Sequence, residues 1–134
     1  MAAAPVFTAT PNVTGTAFAN ADSTNYKTIF TPGASGSRVH AILVTSNDPV
    51  EHYMTFAIEQ SSVQYVLGTA YVAAKPSSVF SHTSANILDP AVWTWLNIND
   101  IAIVLPAGTL LKLKMDVAVS AAKAADIVAL GGDY

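Results

Sequence analysis

Leu110-Leu-Lys-Leu-Lys-Met-Asp-Val-Ala-Val119 decides the fold. Leu111, Leu113, Met115, Val117 and Val119 fall on one side of an extended chain, and Lys112, Lys114, Asp116 and Ala118 on the other. A period of two is the signature of a β-strand with one dry face and one wet face. Other segments follow the same rhythm. Tyr26-Lys-Thr-Ile-Phe-Thr31 is β-branched and aromatic, and the cluster Thr31-Pro-Gly-Ala-Ser-Gly-Ser37 after it is a turn. Arg38-Val-His-Ala-Ile-Leu-Val-Thr45 is apolar on both faces, as in a central strand. Tyr53 to Gln60 alternates, with Met54, Phe56 and Ile58 opposite Thr55, Ala57 and Glu59. Gln64 to Val72, with Tyr65, Leu67 and Thr69 on one side, Ile101 to Leu105 and Ile127 to Leu130 complete the set.

Between these strands lie weaker signals. Lys75 to Asn86 is a Ser-rich loop around a short Val79-Phe80 element. Asp89-Pro90 is an N-cap followed by proline at a first helical position, predicting one short helical turn through Trp95 or Leu96. Ser120 to Ala125 is an Ala-rich link. Residues 1–25 contain Pro5, Pro11 and Gly15, with Val6, Phe7, Val13 and Phe18 as spaced apolar anchors, and they are expected to form an extended N-terminal arm. Residues 26–134 are expected to form one domain. The expected fold is all-β: an antiparallel β-sandwich or jelly roll of seven to eight short strands.

Composition bounds the partners. Of 134 residues, 51% are hydrophobic and only 11% charged, where soluble domains average about 25% charged. The polar surface must therefore rest on the 13 Thr and 11 Ser, diluted by 23 Ala. No run of 18 apolar residues is present to cross a membrane as a helix, and Met1-Ala-Ala-Ala-Pro5 lacks the basic start and apolar core of a signal peptide. The six basic residues Lys27, Arg38, Lys75, Lys112, Lys114 and Lys123 are scattered and the net charge is −3. Nucleic-acid backbones need clustered cations, so neither nucleic acid nor membrane is an expected partner. Low charge without a membrane span points to surface hidden between subunits.

A search for chemistry finds bland explanations for each candidate. Cysteine is absent, which removes disulfides and thiolate chemistry together. His40, His52 and His82 lie in separate segments without metal-ligand spacing. Asp48-Pro-Val-Glu51-His52 gathers two carboxylates and an imidazole, a set able to hold a metal or run acid–base chemistry, but it reads more simply as a β-turn capped by Asp48. Ser35 and Ser37 lie in a glycine turn without the G-x-S-x-G of a hydrolase, and the same turn lacks the lysine of a phosphate-binding loop. Asn12-Val-Thr14 fits the N-glycosylation pattern. Trp93 and Trp95, followed by Asn97, Asn99 and Asp100, fit either core and subunit contacts or a sugar-stacking platform. No catalytic residue, metal or cofactor is expected.

One segment carries a resemblance. Thr28-Ile-Phe-Thr-Pro-Gly-Ala-Ser-Gly-Ser-Arg-Val39, with the ending Gly131-Gly-Asp-Tyr134, resembles a family of small tailed-bacteriophage and prophage virion proteins that carry an "LFTAGANGSRV" segment. Pro32 replaces a small residue of that pattern, and the histidines and the Trp93/Trp95 pair lie outside it. The resemblance implies a capsid decoration protein. Such a protein is made in the bacterial cytoplasm, clusters as a homo-oligomer, typically a trimer, and binds the major capsid protein on the outer surface of the head to stabilise it. It brings no catalytic motif. The expected contact residues are Pro5, Val6, Phe7 and Phe18 in the arm, Arg38 after the turn, and Trp93 and Trp95. The alternative is a carbohydrate-binding host-recognition, fibre or tail module, which requires both tryptophans to be exposed.

Overall fold

The computed structural model describes residues 8–75, 83–96 and 98–134. Pro5, Val6, Phe7, the Val79-Phe80 element, His82 and Asn97 lie outside the described residues. Among the described residues nine strands are present: β1 (Thr10–Ala19), β2 (Lys27–Phe30), β3 (Ser37–Ser46), β4 (His52–Gln60), β5 (Val63–Val72), β6 (Thr83–Asn86), β7 (Ile103–Leu105), β8 (Leu110–Met115) and β9 (Ala124–Asp133). They form two antiparallel sheets. One runs β1-β9-β3-β6 with β7 also on β3, and the other runs β2-β8-β4-β5. The fold is the expected all-β sandwich.

Alternation explains the core. Leu111, Leu113 and Met115 of β8 are fully buried and sit opposite Ile58, Phe56 and Met54 of β4. Lys112 and Lys114 share the other face. From the first sheet come Phe18, Val39, Ile42, Val44, Ile127 and Ala129, all in the same apolar cluster. Each fully buried large side chain contributes roughly 1.5–3 kcal/mol relative to exposure.

Five expectations are corrected. Residues 10–19 are not an arm: β1 pairs with β9 over ten consecutive positions. Phe18 is 1% exposed within the core, so it is no contact residue. Pro11 is tolerated because β1 is an edge strand, where a missing N–H can face outward. The β8 strand stops at Met115 rather than Val119; Asp116 exchanges bonds with Tyr53 through its N–H and Oδ1, and Val117 turns outward. The Ala-rich link is partly strand, since Ala124 and Ala125 already pair with Ala19 and Phe18. Lastly, Asp89 accepts from the N–H of Ala91 as predicted, but the segment closes only isolated turns, ended by Leu96 N–H to Trp93 C=O. The one helical element among the described residues is a 3-10 turn at Asn20–Asp22.

Candidate interaction surface

Three polar or aromatic constellations emerge from this frame, and two of them hold the fold together. The first joins the two segments that carry the resemblance. Gly36, at φ +87°, lets the Thr31–Ser37 turn close on Gly33. The turn then meets the end of β9: Ser37 Oγ donates to Asp133 Oδ1, Asn12 Nδ2 donates to the same oxygen at 2.8 Å, and the Tyr134 N–H donates to Gly36 C=O at 3.2 Å. The Ser37 hydroxyl and the Asn12 amide hold the Asp133 carboxyl below the usual carboxylate range. A Cβ at Gly33 would lie 2.7 Å from the Asp133 carboxyl carbon, so a side chain there would displace that carboxyl from the lock. Asn12, the residue of the glycosylation pattern, is committed to this lock. Arg38 leaves the turn to pair with Asp100 through both terminal nitrogens, which ties β3 to the chain entering β7. The Arg38 role shown by the structure is thus internal.

The second constellation is the Asp48/His52 cluster, and its geometry is that of a buried turn. Asp48 Oδ2 accepts from Ser120 N–H at 2.8 Å and lies 2.9 Å from His52 Nε2, while Oδ1 accepts from Val50 N–H at 3.0 Å. Burial would raise this carboxyl, but the Ser120 N–H, His52 and the Val50 N–H outweigh it and hold its pKa at about 2. Among the described residues His52 Nδ1 has no hydrogen-bond partner, and it sits 3.8 Å from Asp116 Oδ1. Glu51 is separate, accepting from the Tyr71 hydroxyl at 2.8 Å. Among the described residues no group of three His, Asp or Glu side chains could hold a metal ion. With Asp48 and His52 both essentially inaccessible, the cluster offers no place for a substrate. His40 is exposed on β3.

The third constellation is apolar and lies on the β5 side of the sandwich. Trp93 is buried, and its indole N–H donates to Ile87 C=O at 2.5 Å. Its ring stands edge-on to Phe56, with centroids 5.5 Å apart, and lies over Gly68, where a Cβ would come within 2.3 Å of the ring. Gly68 is therefore set by close approach of the indole. Trp95 packs against Trp93 at 5.9 Å but is 50% exposed. The two rings border an apolar cleft lined by Ile42, Phe56, Leu67 and Leu88. Only one tryptophan is available to solvent, so the paired platform required by the carbohydrate reading is not formed.

Exposed apolar side chains are frequent on β5, where Val63 and Tyr65 align with Gln60 and the inward Ile58 while Val66 and Tyr71 align with Ala57 and Tyr53 on the opposite face, and Val92 and Ile98 neighbour Trp95 along the chain. Of the expected contact residues, Trp95 alone among those described is an exposed apolar side chain. The tyrosines and valines of β5 escaped the reading of the sequence because strict alternation assigned Tyr65, Leu67 and Thr69 to one side. A bulge reverses that alternation: Phe56 aligns with Gly68 and Ala57 with Val66, leaving Leu67 as the extra residue. The available signal was the lack of any charge across ten residues of β5.

No protein-family model matches the sequence, and no curated protein does. Among solved structures, a chain of the virus-like particle of the extra small virus of the giant freshwater prawn Macrobrachium rosenbergii aligns over 100% of this chain and 87% of its own length. The two are 9% identical, with a TM-score of 0.28. A likeness that distant carries no argument about this chain.

Proposed function

We propose that this chain is a non-enzymatic structural subunit of a tailed-phage virion, a decoration protein that clusters with its own copies and binds the major capsid protein on the outer face of the head. The observation that carries the proposal is the uncharged ten-residue edge strand β5, which exposes Val63, Tyr65, Val66 and Tyr71, together with the exposed Trp95. Contiguous exposed apolar surface on a small domain marks a protein contact, and tyrosine and tryptophan are the residue types enriched in such contacts. The Thr28–Val39 resemblance supplies the capsid as the partner. The low charge and the burial of the Asp48/His52 pair support the structural role over an enzymatic one. A subunit that binds only the assembled shell stabilises it by mass action.

Incubating the purified protein with expanded, undecorated heads of the phage that encodes it, then sedimenting the heads, tests the proposal. The protein is expected to co-sediment saturably at a fixed ratio to capsid subunits and to raise the temperature at which heads rupture. Protein that stays in the supernatant at saturating concentration refutes it.

A further inference from the structure

We infer that β5 is a self-pairing edge, through which two copies of this chain join antiparallel into one continuous sheet. The argument starts from the edges of the two sheets. β6 and β7 are four and three residues long, and the β1 and β2 edges are tied to each other by side chains. β5 is a ten-residue edge strand without Lys, Arg, Asp, Glu or Pro, the residue types that ordinarily protect an edge. Its side chains Val63, Tyr65 and Val66 are about half exposed or more.

Three features favour a second copy over an unrelated partner. First, the strand is bulky at its start, Val63-Gln-Tyr-Val-Leu67, small in the middle, Gly68-Thr-Ala70, and bulky again at Tyr71-Val72. An antiparallel two-fold pairing centred between Leu67 and Gly68 sets Tyr65 of one copy beside Ala70 of the other, and Val66 beside Thr69. Second, the bulge keeps those pairs on a common face. Tyr65 and Ala70 align with the inward Ile58 and Met54, whereas Val66 and Thr69 align with Ala57 and Thr55 on the lysine face. Third, charge allows it. A chain of net charge −3 meets its copy here across an uncharged strand, and the flanking Glu51 and Glu59 are already held by Tyr71, Gln64 and Lys112.

The pairing is weak by its size. Ten residues span roughly 33 Å, and an edge contact of that length buries on the order of 800 Å² in total, below the roughly 1,200 Å² of stable complexes. It is also isologous and closes at two copies. The contact is therefore distinct from a three-fold cluster and goes beyond the proposed function, linking neighbouring subunits where local concentration is high.

Sedimentation equilibrium of the full chain, across concentrations up to the millimolar range, reads this directly. A monomer–dimer equilibrium is expected, with Val66→Lys weakening association about tenfold or more and Val13→Lys, on the β1 edge, leaving it unchanged. Amide exchange in β5 should slow as concentration rises, and Val66→Lys should retain the wild-type melting temperature. A chain that is monomeric throughout, or a dimer that Val66→Lys does not weaken, overturns the inference. Either result leaves head binding to be judged by co-sedimentation, so the two readings fail separately.

Discussion

The two long sides of the sandwich close in different ways. Along the β1/β2 side, polar groups reach across from one sheet to the other. Asn12 Nδ2 donates to Thr31 C=O at 3.1 Å, Thr16 Oγ1 to Thr28 C=O at 3.3 Å, and Lys27 Nζ to Ala17 C=O at 2.5 Å. Lys27 is itself held by Asp22 at 3.2 Å and lies over the Phe18 ring. Along the β5 side, Trp93 fills the gap instead. Backbone groups at an edge must find partners or water, so polar ties consume an edge's bonding capacity. An apolar plug seals the core but leaves the strand beside it unspent. Among the described residues the β1/β2 side is tied within one chain, and the β5 side is the one the proposed assembly uses.

This contrast can be broken from its strongest point outward. Trp93→Ala removes the plug and is expected to cost about 3–5 kcal/mol, the usual range for a buried aromatic truncation. Chemical denaturation would measure it, and Trp93→Phe should recover part of the loss while forgoing the bond to Ile87 C=O.

Acid should act next, through Asp48 rather than through either flank. Its folded pKa of about 2 lies below the ordinary 3.8, so its contribution, about 2 kcal/mol, is fully present above pH 4. That contribution is lost as pH falls through the ordinary value toward about 2. Asp48→Asn should flatten the acid limb of the stability–pH curve while lowering stability at neutral pH. A variant whose acid limb matches wild type would show that other carboxylates dominate.

On the tied side, Asn12→Ala removes bonds to Thr31 and Asp133 and should cost about 1 kcal/mol, read as a small drop in denaturation midpoint. Smallest of all, Val66→Lys on the open side should change stability by no more than about 0.5 kcal/mol. If Val66→Lys destabilises as much as Asn12→Ala, the β5 side is not open.

Much of this architecture was legible from residue patterns. β2, β3, β4 and β5 were placed to within a residue or two, because period-two alternation bounded by Gly, Pro, Asn and Ser is a local signal. The inner residues of β8 were identified for the same reason. What failed depended on pairing at a distance. β1 is Thr- and Ala-rich, interrupted by Pro11 and Gly15, and becomes a strand because β9 runs beside it, so its own residues announce it only weakly. The β5 faces were misassigned after Leu67 because a bulge is a property of two strands together. The candidate surface was only half visible: Trp93 and Trp95 stand out in the sequence, but which of them is spent on the core depends on Gly68, Phe56 and Ile87, which the fold brings to the same place.

Hydrogen–deuterium exchange on free and head-bound protein tests most directly whether the β5 side is the assembly surface. The account predicts that β5 and the residues around Trp95 become protected on the head, while β1 exchanges as in the free chain. Protection confined to the β1/β2 side, with β5 unchanged, would contradict it.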